Sequence, residues 1–181
     1  MAQTERWMNG PQPRKLVPLR VASATVIESG DFVLIFQGMA IPPSLIGYIY
    51  SDATTARREG AMLFGGIARN SSPAGDTNLV QIDVSPESLY KLTLCSAAAA
   101  SVADLYGICA VSNAAGLWAL EDQKVEPDCS YPIAVLMEEK AATGTDIYAS
   151  LIPTKLFYPQ HSYTICYGVN DNTFVNQSYA G

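Results

Sequence analysis

A single histidine in 181 residues removes the side chain on which most acid–base and nucleophilic catalysis depends. A Ser-His-Asp or Cys-His arrangement would have to use His161, with Ser162 or Cys166 nearby. That stretch is proline-containing and aromatic, and it has no strained nucleophile turn. The same scarcity counts against a zinc enzyme. Cys95, Cys109, Cys129 and Cys166 include no pair at the close spacing of a structural zinc site. Cys95 and Cys109 stand among Leu, Ala, Ile and Val, the usual setting of buried free thiols. No run approaches the roughly 20 apolar residues needed to cross a bilayer. Residues 1–20 also lack the apolar segment of a secretory signal. The expectation is a soluble protein made in the cytoplasm, not an enzyme, with no cofactor, no metal and no catalytic residue.

Charge is scarce as well. Only 15% of residues are charged, against about 25% in an average soluble domain. Half the chain is apolar, enough for a real core, so the shortage suits either a compact neutral domain or one that buries surface against partners. What charge there is divides unevenly. Residues 1–20 carry Arg6, Arg14, Lys15 and Arg20 against Glu5, whereas the remainder holds seven basic and sixteen acidic residues. An acidic body opposes contact with phosphate backbones, and four dispersed cations make a weak nucleic-acid footprint. Docking of the basic segment onto an acidic protein neighbour is the favoured reading.

What the sequence does contain is one pattern written twice. Gly66-Ile67-Ala68 leads to the turn Ala74-Gly75-Asp76, and Pro132-Ile133-Ala134 leads to Ala142-Thr143-Gly144-Thr145-Asp146. Alternating apolar residues follow each turn: Val80, Ile82 and Val84, then Ile147, Ala149 and Leu151. An apolar strand, a glycine-containing turn and an alternating strand spell a β-hairpin. Gly65-Gly66 lacks the Lys-Ser/Thr of a phosphate loop and fits a bulge or a close strand approach. Further strands are expected over 89–94, and a hairpin over 108–111 and 117–120 around Ser112 to Gly116. A hairpin is also expected over 21–36 around Glu28-Ser29-Gly30-Asp31. Residues 51–60 read as a polar loop or short helix, 95–102 as a loop, and 121–128 as an acidic surface connection. Glu121, Asp122, Glu126 and Asp128 lack the glycine and clean alternation of a calcium loop, with Lys124 in their midst. Tyr106 and Trp118 form either a sugar-stacking platform or ordinary core and interface packing.

These elements imply an all-β fold, a small β-barrel or sandwich of hairpins over residues 21–153. An extended N-terminal arm covers 1–20, where Pro11, Pro13 and Pro18 oppose helix, and it is either disordered or ordered by a neighbour. Residues 154–181 form an aromatic C-terminal extension with Phe157, Tyr158, Tyr163, Tyr167, Phe174 and Tyr179. Aromatics among Asn, Ser and Gln typify surfaces that become interfaces.

The run Phe64-Gly65-Gly66-Ile67-Ala68 with Ala74-Gly75-Asp76 resembles the capsid decoration (cement) proteins of tailed bacteriophages. Glu28 to Val33, Val102 to Gly107, the Asn113 to Gly116 turn and the closing strand from Ile147 to Pro153 match in order. The resemblance spans roughly 21–153. Residues 38–60 are enlarged, and neither terminal extension has a counterpart. It implies a protein of the outer capsid surface that assembles as a homotrimer. Its partners would be the major capsid protein and further copies of itself, with no direct nucleic acid and no membrane. Trp7 and Leu16, helped by Arg14 and Lys15, would anchor the arm, and Tyr158, Tyr163 and Tyr167 would pack on a neighbour. Alternatives are another phage part, such as a head fibre base or tail component, or a carbohydrate- or ligand-binding β module.

Overall fold

The computed structural model describes residues 7–9, 15–23, 25–46, 50–74, 78–85, 88–96, 104–137 and 145–153. Eleven strands run through it: β1 (Trp7–Asn9), β2 (Leu16–Arg20), β3 (Phe32–Phe36), β4 (Met39–Ile41), β5 (Phe64–Ala68) and β6 (Leu79–Asp83) come first. There follow β7 (Leu89–Leu94), β8 (Leu105–Ser112), β9 (Trp118–Pro127), β10 (Ala134–Leu136) and β11 (Asp146–Leu151). A 3-10 helix (Pro43–Ile46) and one α-helix, α1 (Ala53–Leu63), lie between β4 and β5. The fold is all-β in character, as the sequence implies.

Two sheets hold the strands, one ordered β2-β6-β5-β3-β4 and the other β1-β7-β11-β10-β8-β9. In the second sheet β7 also pairs in parallel with β9, through Thr93 with Lys124 and Leu94 with Val125, so five of its strands close a ring of pairings. At the equivalent place in the first sheet stands a single parallel bridge between Val21, just past β2, and Ala40 in β4, with β2 otherwise at the sheet's edge. Taken in chain order, the strands of each half pair first with fifth, fifth with fourth, fourth with second and second with third. The pattern written twice in the sequence is therefore a repeat of connectivity. Equivalent hydrogen bonds mark it: Ala22 N–H donates to Ala40 O at 3.1 Å, and Cys95 N–H donates to Val125 O at 2.9 Å.

Alternation explains which faces are buried. Tyr90, Leu92 and Leu94 of β7, and Ile147, Ala149 and Leu151 of β11, all point inward while their neighbours do not. Both expected hairpins of the repeat form, β5 with β6 and β10 with β11. So does the β8–β9 hairpin around residues 113–117. One apolar cluster fills the first half, with Val21, Ile27, Val33, Ala40, Ala68, Val80, Ile82 and Val84. A larger one runs from Phe32, Leu34 and Phe64 through α1 into Leu92, Ile108, Leu120, Ile133 and Ile147, joining the halves. Phe32 and Phe64 meet edge to face at 6.0 Å.

One glycine is dictated by close approach, and a second sits where a helix packs tightly on a sheet. At Gly66 φ is +142°, and a Cβ would strike the carbonyl oxygen of Asp83 on the paired strand. At Gly60 a Cβ would sit 2.7 Å from Leu120 Cδ1, so the missing side chain lets α1 lie directly on β8 and β9. Asp52 caps α1 by accepting from Thr55 N–H at 2.7 Å.

Four expectations need correction. Residues 21–36 form no hairpin: β3 turns back through Gln37–Gly38 to pair with β4 and takes β5 on its other side. The Glu28 to Asp31 turn instead leads from a bridge between Ile27 and Ser72. Residues 121–127 are no loose connection but the second part of β9, held by β8. Cys95 and Cys109 are not free thiols but a disulfide, their Cα atoms 6.3 Å apart. Finally, Leu16–Arg20, assigned by sequence to the arm, is the edge strand β2, paired along its length with β6.

Candidate functional site

Of the residues expected to make contacts, only some lie among those described. Arg14, Tyr158, Tyr163 and Tyr167 fall outside them, as do His161 and Cys166. Trp7 begins β1, whose backbone pairs with β7 at Tyr90 and Leu89. Lys15 is fixed through its main chain: its N–H donates to Ser85 Oγ at 2.9 Å, and its carbonyl accepts from Val84 N–H at 3.0 Å. Leu16 follows with its side chain 42% exposed at the sheet edge. Leu16, Pro18 and Arg20 share the exposed side of β2, and Leu79, opposite Arg20 on β6, is also exposed. Of the expected anchors, Leu16 lies on this exposed face, beside Pro18, Arg20 and Leu79, which were not expected.

The proposed aromatic platform does not form. Tyr106 is 1% exposed and pairs with Pro127, whereas Trp118 pairs with Ser112 at the other end of the hairpin. The acidic group is absorbed by structure. Glu126 accepts from Arg57 Nε at 2.7 Å and from Ala110 N–H at 2.8 Å. Asp128 accepts from Ser130 and Tyr131 N–H, and Asp122 takes both the N–H and Oγ of Ser44 at 2.7 Å. Among the described residues no three His, Cys, Asp or Glu side chains gather to hold a metal ion.

A buried polar joint links the halves. Asp83 Oδ1, at the end of β6, accepts from Tyr90 Oη at 2.8 Å and Ser85 Oγ at 2.9 Å. Burial, then the neighbouring Asp83 carboxylate, pushes the Tyr90 phenol far above its ordinary value. The tyrosine hydroxyl donates to the side chain of a residue that is 0% exposed, which offsets the cost of burying it.

Sequence reading missed a concave feature formed by the described residues. Phe36 of β3, Ile41 of β4, Leu45 and Ile46 of the 3-10 helix, Tyr50, and Glu59 and Leu63 of α1 line a groove of about 380 Å³. Its walls are pinned: Asp122 ties the 3-10 helix to β9, and Tyr50 exchanges two backbone hydrogen bonds with Trp118. Glu59 lies on the inward stripe of α1 with Ala56, Gly60 and Leu63, and is 8% exposed. Desolvation raises its carboxyl above the usual glutamate range, opposed by the charge of Arg58. The signal was present in the sequence, since Ala56, Glu59, Gly60 and Leu63 have helical spacing. It was concealed by treating Arg57-Arg58-Glu59 as one polar run.

No protein-family model and no curated protein sequence matches this chain. Among solved structures it is similar to the head fibre gp8.5 N base of bacteriophage phi29, at 15% identity and a TM-score of 0.37. That alignment covers 77% of this chain and 96% of the fibre chain.

Proposed function

We propose that this protein is a structural component of a phage virion, held on the outer surface of the capsid and bridging shell subunits without catalysis. The observation that carries the reading is the ordered set of hairpin motifs resembling phage decoration proteins. The pairings β5–β6, β8–β9 and β10–β11 support it, whereas the Glu28 to Val33 stretch, matched to a first hairpin, forms none. The surface is compatible with a docking role: Leu16, Phe36, Leu45, Leu79, Leu117 and Met137 are large apolar side chains left at least one-third exposed. Apolar burial at about 25 cal/mol per Å² supplies the drive for association, less the cost of ordering. Repetition across a shell lattice adds avidity, so each contact can be weak.

The test is reconstitution. Purified protein is mixed with empty, expanded shells of the major capsid protein encoded in the same genome, then examined by co-sedimentation and cryo-electron microscopy. Saturable density at repeated outer lattice sites, with a higher shell melting temperature, is the expected result. Density confined to the base of a fibre or to the tail would replace the bridging role with that of an appendage base. Absence of the protein from both shells and purified virions would overturn the reading.

A further inference from the structure

We propose that the groove between β3, the 3-10 helix and α1 receives a lysine side chain of a partner protein, its alkyl stem along the apolar walls and its ammonium at Glu59. This goes beyond the virion reading and does not depend on it. Three observations converge. The walls are apolar (Phe36, Ile41, Leu45, Ile46 and Leu63), and Leu45 at 53% and Phe36 at 36% exposure leave apolar surface uncovered. The groove is preformed, because both its 3-10 helix and Tyr50 are hydrogen-bonded to β9. Its chemical exception is Glu59, a residue 8% exposed whose carboxylate has no hydrogen bond among the described residues and feels only the charge of Arg58 in partial compensation.

Placement of an acid on the inward stripe of a helix breaks the local pattern that Ala56, Gly60 and Leu63 keep, and such breaks concentrate at functional positions. A carboxylate in an apolar slot calls for an opposite charge that arrives with its own apolar covering. An anion is repelled, and a neutral alkyl chain adds nothing to the partial compensation from Arg58. The ammonium of lysine on four methylenes meets both demands, and a slot of about 380 Å³ holds it easily.

n-Hexylammonium is the probe, with n-hexanol and n-hexanoate as controls, followed on the full chain by methyl and carboxyl NMR. Saturable shifts confined to Ile41, Leu45, Ile46 and Leu63, about tenfold tighter for the ammonium than for the alcohol, are expected. Glu59→Gln should bring the ammonium down to the alcohol's affinity. Should that variant not fold, the Glu59 carboxyl is titrated in the natural protein, where the ammonium should lower its pKa and the alcohol should not. Equal binding of all three probes, no saturation, or an unmoved Glu59 titration would overturn the proposal.

Discussion

At the scale of single residues, two positions show how tightly backbone and side chain are matched. Gly66→Ala places a methyl group against the Asp83 carbonyl of the neighbouring strand, in a φ region that alanine avoids. Backbone on a paired strand cannot step aside, so the substitution should cost about 2–4 kcal/mol, read as a lowered denaturant midpoint. Glu59 gives a pH signature. Its folded pKa is raised from 4.5, so the folded state holds the proton more firmly than the unfolded chain does. Its contribution is therefore most favourable below about pH 4.5 and is lost as pH rises through the folded pKa. Glu59→Gln removes that loss, so the variant should melt higher than the natural protein near pH 8 and almost together with it near pH 4. Asp31, raised by burial despite accepting from Glu28 and Gln123, works in the same direction over the acid range. A higher melting temperature for the natural protein near pH 8 would show that Glu59 is matched inside the fold.

Among elements, the closing strands matter most. The disulfide joins the end of β7 to β8 at the irregularity between Ile108 and Ala110, and β9 is the strand that both of them pair with. The Cys95→Ser/Cys109→Ser pair should lower stability by about 3 kcal/mol, given 14 residues of separation. Peptide mapping without reductant should recover the two cysteines linked. Strands with strict alternation and flanking turns were legible in the sequence: β6, β7, β11 and the β8–β9 hairpin. The β3–β4 hairpin was not, because its turn residue Gln37 takes φ +49°, a conformation uncommon outside glycine, and Phe36 faces outward. Acidic Glu121 to Glu126 concealed a strand, since its charges are matched by Ser44 and Arg57 from distant segments. Cys95 and Cys109 looked alike in sequence, although only Cys109 is buried. Pairing across a third strand leaves no local trace.

For the molecule as a whole, the N-terminal residues belong to the folded body as well as to any contact outside it. Deleting 1–20 removes β2 and uncovers β6 along five register pairs, whereas deleting 1–14 takes away only the three-residue β1 beside β7 and leaves β2 in place. The longer deletion should melt well below the shorter one in calorimetry. On the virion reading, the shorter one should keep its fold yet bind shells more weakly, and unchanged shell occupancy would remove the first fourteen residues from the attachment. The candidate groove was the least legible feature, because it is assembled from β3, β4, the 3-10 helix and α1, none of which carries a motif.

The shared connectivity of the halves shows where they differ. By register, Cys95 and Cys109 correspond to Ala22 and Phe36, since Leu94 meets Val125 as Val21 meets Ala40, and Ile108 meets Val125 as Ile35 meets Ala40. The two halves therefore complete one connectivity by different means. One fastens its seam covalently; the other inserts a helix and frees the equivalent of the second cysteine, Phe36, to line a groove. One connectivity thus carries a covalent clasp in one half and a concave apolar surface in the other.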